Sequence, residues 1–163
     1  MAKTILFVCT GNSCRSVMAE YLMCHRLMTA RGDAPPLDYT TASAGLAAVD
    51  GAGPSAETVH VLRHRAGVDA STHTARKLTD AMARDAALVL VMERWHLEAI
   101  LQRVPESVGK VHLLARFGLT AEQEATAAEE IIDPIGRPSE VYESCFSTIQ
   151  AAVERIAGSL KPS

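Results

Sequence analysis

The sequence predicts an α/β fold: a single three-layer domain in which a four-stranded parallel sheet is flanked by helices, with a tight polar loop near the N-terminus. Three observations carry this. Short apolar, β-branched runs alternate with amphipathic stretches along the whole chain, as in folds whose parallel strands are joined by helices. The first run, Lys3 to Cys9, is continuously apolar after Thr4, as a central strand buried on both faces requires. The chain has 163 residues, 48% of them apolar, which suits one core and one domain, placed at residues 1–158 with a tail at 159–163.

After the Lys3–Cys9 strand, the polar stretch CTGNSCRS leads into a helix from about Cys14 to Ala30. Val17, Tyr21, Cys24 and Met28 lie on one of its faces. Pro35-Pro36 is loop. Tyr39 to Ala44 is a second strand closed by Gly45. Gly53-Pro54 turns the chain into Ser55, an N-cap, and the helix that follows runs to about Arg65 before Gly67 stops it. Ser71 to Leu78 reads as loop and Thr79 to Arg84 as a short helix. Ala86 to Met92 is the strongest later strand. Arg94 to Gln102 is helical, ending before Pro105, and Lys110 to Leu114 is the fourth strand. Leu119 to Glu130 is an Ala/Glu-rich surface segment holding some helix. Asp133-Pro134-Ile135-Gly136 is a turn. Ser139 caps a last helix with the stripe Val141, Cys145, Ile149, Ala152 and Ile156.

With 16 Lys and Arg against 19 Asp and Glu, the net charge of −3 offers no general attraction for nucleic acid or an anionic membrane. No apolar run approaches the roughly 18 residues of a spanning helix, and ILFVC is too short for a signal peptide. The expectation is a cytoplasmic monomer. The four cysteines, Cys9, Cys14, Cys24 and Cys145, do not form the disulfide scaffold of a small secreted domain. Cys24 and Cys145 fall in helical patterns and read as core side chains. Neither Cys9 and Cys14 nor the pair His60 and His64 has partners at metal-ligand spacing, so no metal and no cofactor is expected. His60, His64, His96 and His112 read as surface residues. No strand is followed by GxGxxG, which argues against a dinucleotide site.

The stretch from Cys9 to Ser16 is compatible with a redox pair, half a metal site, a polar turn or a cradle for an oxyanion. Its position between a buried strand and a helix favours the cradle. A loop this tight can turn successive N–H groups inward, and the helix adds its unpaired N–H groups and positive dipole end. Gly11 leaves room for the backbone to approach, Arg15 matches two phosphate oxygens, and such surroundings favour a Cys9 thiolate ready to attack phosphorus. Asn12 and Ser16 are suited to bracing the loop. Expelling a leaving group needs a proton, for which Asp133, on a Pro-stiffened turn, is a reasonable donor; the same residue can then activate water.

The chain closely resembles the low-molecular-weight protein tyrosine phosphatase family. The matching text is ILFVCTGNSCRSVMAE at Ile5 to Glu20, SAG at Ser43 to Gly45, HTARKLT at His73 to Thr79, AALVLVMERWH at Ala86 to His96, and DPIG at Asp133 to Gly136. The resemblance implies Cys9 as nucleophile, Arg15 as phosphoryl ligand and Asp133 as general acid and then base. It implies a phosphate-binding loop of Thr10, Gly11, Asn12, Ser13, Cys14 and Ser16, supported by Ser43 and His73. It also implies that Cys14 can form a reversible disulfide with Cys9. The partner is a phosphorylated protein.

The opening motif is closest to the arginine phosphatase and arsenate reductase branches. Tyrosine-directed members usually carry a bulky aliphatic residue where this chain has Ser13, and aromatic residues where it has Ile135 and Gly136; an aromatic wall would have to come from Trp95 or Tyr142. Arginine phosphatases carry threonine at the Ser13 position, so the reading leans toward phosphoarginine, with phosphotyrosine the alternative. A thioredoxin-coupled arsenate reductase needs two further cysteines beyond mid-chain, where this sequence has only Cys145. A non-catalytic phosphate-binding module is the remaining alternative, opposed by an intact Asp133.

Overall fold

Ile5 to Cys9 are all buried, and their side chains alternate between two cores, as a pleated strand demands. Ile5, Phe7 and Cys9 enter one core, and Leu6 and Val8 the other. The structure is a computed structural model and describes residues 2–29 and 38–161. Strands β1 (Lys3–Cys9), β2 (Tyr39–Gly45), β3 (Leu88–Val91) and β4 (Val111–Leu113) form one sheet in the order β2-β1-β3-β4. All three pairings are parallel, as expected.

The helices are α1 (Arg15–Thr29), α2 (Ala56–Ala66), α3 (Asp80–Asp85), α4 (Arg94–Arg103), α5 (Ala121–Glu124) and α6 (Ser139–Ser159). Those of α1, α2 and α6 cover one face of the sheet, where Phe7 and Phe146 are fully buried with Met18, Leu62 and Ile149. Burying side chains of this size contributes roughly 2–3 kcal/mol each. Ala83 of α3 and Ile100 of α4 close the other face against Leu6, Val8, Val89 and Val91. The chain runs from β1 outward to β2 and then crosses back to β3. The carboxyl end of β1 therefore lies at the point where strand order reverses, the usual position of a ligand crevice.

Several boundaries differ from the sequence reading. β3 is shorter than Ala86–Met92: the Ala86 N–H donates to Met82 O and closes α3, and the Met92 carbonyl accepts from Ile131 N instead of a strand partner. Ser139 does not cap α6. It is already the first helical residue, Pro138 precedes it in extended conformation, and no side-chain cap bond forms. Ser55 does cap α2, accepting from Thr58 N at 3.2 Å, and Gly67 (φ 65°) ends that helix in the left-handed region glycine favours.

The buried face of α1 is Arg15, Met18, Ala19, Leu22 and Met23, with Val17, and not the stripe through Cys24 and Met28. Cys24 is exposed and Met28 is 64% exposed, so Cys24 is not a core residue; Cys145 is. The sequence offers two apolar stripes at helical spacing, and packing against the sheet and α6 selects one. Pro35-Pro36 and Ala30 lie outside the described residues. Among the described residues no helix is long and apolar enough to cross a membrane.

Candidate active site

The loop between Cys9 and α1 is held by its carbonyl groups. Cys9 O accepts from Leu46 N (3.0 Å), Thr10 O from Ala47 N (2.9 Å) and Ser13 O from Ser55 N (3.1 Å). The carbonyl of Asn12 accepts from His73 Nε2 at 3.2 Å. The N–H groups of residues 10–15, in contrast, donate to no protein acceptor among the described residues. Buried backbone N–H groups are almost always paired, so a row of unpaired ones is a built anion cradle. α1 begins here with no acidic side chain in its first turn, leaving its positive end uncompensated.

Asn12 is the only non-glycine among the described residues with positive φ (52°), and its side chain ties the loop to α1, to β2 and to the segment at Arg76. Nδ2 donates to Ser16 Oγ (2.8 Å) and Ser43 Oγ (2.9 Å), and Oδ1 accepts from Arg76 N (3.0 Å). These bonds hold Ser16 and Ser43 beside the loop. Ser16 Oγ, which accepts from Asn12, lies 3.0 Å from Cys9 Sγ, so its hydroxyl is within reach to donate to a Cys9 thiolate. Ser43 passes its proton to Glu20 Oε2 at 2.5 Å, and His73 Nδ1 lies 3.8 Å from the same oxygen. Ser43 and His73 thus both hydrogen-bond to Asn12, Ser43 through its hydroxyl and His73 through Nε2.

Arg15 is only 1% exposed. Its Nη1 donates to Glu93 Oε2 (2.9 Å) and Ile131 O (2.8 Å), which compensates the cost of burying the charge. Nη2 has two longer neighbours, Thr10 Oγ1 at 3.4 Å and Asp133 Oδ2 at 3.6 Å. The Nη1 end is thus anchored, and the rest of the fork is left for an oxyanion. Burial opposes ionisation of Glu93, but the hydrogen bond and charge of Arg15, helped by His96 and Trp95, outweigh it and hold its carboxyl below the usual range. Asp133 sits on its turn with Oδ1 accepting from Ile135 N at 3.1 Å, and its side chain remains 43% exposed, open to a leaving group and to water.

Cys9, the loop and Arg15 converge on the end of β1, and the remote Asp133 reaches the same guanidinium. A family model described as low molecular weight phosphotyrosine protein phosphatase matches residues 4–163. The chain belongs to that family. It is a cysteine-dependent low-molecular-weight phosphatase acting on protein side chains. Among its relatives, a probable low molecular weight protein-tyrosine-phosphatase of Erwinia amylovora is 32% identical over 160 residues, covering 98% of this chain and 99% of that one. A protein-arginine-phosphatase of Geobacillus stearothermophilus is also 32% identical, over 161 residues, covering 99% and 98%. Among solved structures, a low molecular weight protein tyrosine phosphatase from T. tengcongensis superposes with a TM-score of 0.85 at 30% identity, covering 98% of this chain and 100% of that one. The YwlE arginine phosphatase of Geobacillus stearothermophilus gives 0.80 at 32% identity, covering 96% and 91%. Relatives named for tyrosine and for arginine stand at the same distance, so the leaning of the opening motif toward the arginine and arsenate branches does not extend to the whole chain.

The rest of the phosphatase site departs from the sequence reading in two places, at His96 and at Tyr142. His96 is not a surface residue: it is fully buried beneath the loop, its Nε2 3.0 Å from Thr10 Oγ1. Burial, with Arg15 second, lowers its pKa to about 4, against the pull of Glu93 and Asp133. Tyr142 is not available as a cleft wall. It is buried, with its hydroxyl 3.9 Å from Cys14 Sγ. Trp95 is 44% exposed and is anchored at the site by Nε1 donating to Glu93 Oε2 at 3.3 Å. Cys14 is buried behind the loop, 3.2 Å from Ser55 Oγ, and both it and Cys9 are free thiols.

Glu20, Arg76 and Glu93 belong to the site, although the sequence pattern by itself does not single them out. All three lie inside the stretches that carry the family resemblance, and their position there was the available signal. Among the described residues no group of three or more His, Cys, Asp or Glu side chains is placed to hold a metal ion.

Proposed function

We propose that the chain hydrolyses phosphorylated protein side chains through a phosphocysteine on Cys9, with phosphoarginine favoured. The observation that carries the mechanism is the loop of unpaired N–H groups leading from Cys9 to the buried Arg15. The Cys9 thiolate attacks phosphorus in line. The S–P bond forms as the bond to the leaving nitrogen or oxygen breaks, and Asp133 gives that atom its proton. The loop N–H groups and Arg15 hold the equatorial oxygens, where negative charge shifts in the transition state. Asp133, now a carboxylate, takes a proton from water. The water oxygen attacks phosphorus, the S–P bond breaks, and phosphate leaves with the thiolate restored.

Preference for phosphoarginine rests on the rim. Ser13 is small and polar, which leaves width beside the loop and a hydroxyl for a guanidinium. After Asp133 and Pro134 the chain offers the exposed aliphatic Ile135 and no aromatic ring. A phosphotyrosine reading draws on one specific feature, the half-exposed indole of Trp95 beside Glu93. Comparison of kcat/KM for matched phosphoarginine and phosphotyrosine peptides tests the preference, with Cys9→Ser as the inactive control. Higher values on phosphoarginine are expected. Equal or reversed values overturn the preference, and a Cys9→Ser variant as active as wild type overturns the mechanism.

Cys14 adds a redox protection. Peroxide converts the Cys9 thiolate to a sulfenic acid, and the Cys14 thiol displaces water from it to give a disulfide that a thiol reductant reopens.

A further inference from the structure

Thr10 and His96 are far apart in sequence, yet their bond lies at the edge of the anion cradle. The donors and acceptors around His96 leave one assignment. Its Nδ1 lies 3.0 Å from Glu93 N, and a backbone N–H can only donate, so Nδ1 carries a lone pair. The neutral ring then has its proton on Nε2. Nε2 is 3.0 Å from Thr10 Oγ1 and 3.6 Å from Glu93 Oε2, so the bond it makes is to Thr10. Arg15 Nη2, also a donor only, approaches the same hydroxyl at 3.4 Å. Thr10 Oγ1 accepts from both, and its own proton goes to neither. Among the described residues no protein acceptor takes that proton.

Resting on the phosphatase reading above, we propose that His96 is a positioning residue: by donating to Thr10 Oγ1 it aims the Thr10 hydroxyl proton at an oxygen of the bound phosphoryl group. The Thr10 hydroxyl is then one more donor of the cradle, on the side where Arg15 and Asp133 meet. A protonated imidazole would lose its bond from Glu93 N and add a second positive charge beside Arg15; burial and the guanidinium keep the ring neutral. A histidine that merely caps α4 would need only Nδ1, through its bond from Glu93 N. The bond to Thr10 is what such a cap does not require.

The test separates the two ends of the ring. Thr10→Val removes the hydroxyl at nearly constant shape, and Thr10→Ser keeps it. His96→Asn can satisfy Glu93 N without reaching Thr10, whereas His96→Gln extends a donor to the Nε2 position. Two quantities are read for each variant: the dissociation constant of inorganic phosphate by calorimetry, and kcat and KM on an aryl phosphate. Thr10→Val and His96→Asn are each expected to weaken phosphate binding and lower kcat/KM about tenfold. Their combination should be no worse than either alone, with His96→Gln and Thr10→Ser recovering most of the loss. Wild-type phosphate binding in Thr10→Val, or losses that multiply in the double variant, overturn the proposal. Phosphate binding does not depend on turnover, so an inactive wild-type protein would sink the phosphatase reading while the binding series still decides the role of His96.

Discussion

Arg15 Nη2 and Asp133 Oδ2 lie 3.6 Å apart, although one residue opens α1 and the other sits on the turn before α6. The contact places a carboxyl at the edge of the phosphoryl site without pulling it into the cradle. It leads directly to a leaving-group experiment. Asp133→Ala should lose about 100-fold or more in kcat on a substrate with a poor leaving group. On an activated aryl phosphate, which needs little protonation, the loss should be under about tenfold. Kinetics on a series of aryl phosphates of graded leaving-group pKa checks this, and equal losses across the series would remove Asp133 as the proton donor.

Gly45 closes β2 against the loop. A Cβ there would stand 2.5 Å from Thr10 O and 2.8 Å from Asn12 N, both backbone atoms that cannot swing aside. Gly45→Ala should therefore displace the cradle, weaken phosphate binding at least tenfold and cost about 1–3 kcal/mol in stability. Gly53→Ala, with nothing within 4 Å of its Cβ, is the matched control. Urea unfolding and phosphate titration of both variants measure the difference; a Gly45→Ala protein that binds phosphate normally contradicts the steric argument.

The His96 ring links stability to pH. Its pKa is about 4 in the folded protein against an ordinary 6.5, through burial first and Arg15 second, with Glu93 and Asp133 opposing. Between these values the unfolded chain binds the proton and the folded one does not. The contribution is therefore fully present above pH 6.5 and is lost as pH falls toward 4. Between pH 7.5 and pH 5 the loss should be about 2 kcal/mol. His96→Gln lacks the titrating group, so its urea midpoint should fall less over the same range. Parallel curves for the two proteins would mean that His96 titrates normally when folded.

Ser13 tests the rim. Ser13→Ile narrows the space beside the loop and removes a hydroxyl, and the ratio of phosphotyrosine to phosphoarginine kcat/KM should rise about tenfold, the scale of a changed pocket contact. An unchanged ratio would show that this side chain does not set the selectivity.

The order of strands and helices was legible because hydrophobic period is a local property. Lys3–Cys9 is unbroken and apolar, Ser55 and Gly67 frame α2 with their own caps, and the strand-loop-helix unit puts Cys9 and Arg15 together by chain geometry alone. Faces and partners are not local. The sequence of α1 carries two apolar stripes, and only the packing of α6 and the sheet shows that Cys24 faces solvent. His96 looked like one more polar residue on an amphipathic helix. Its burial, its neutral ring and its bond to Thr10 follow from β3 delivering Glu93 and α4 to the end of β1. The sequence determined which groups could bind and attack a phosphoryl centre. The tertiary structure decided which of them face one another, because donors, acceptors and charges act over a few ångströms that chain order does not specify.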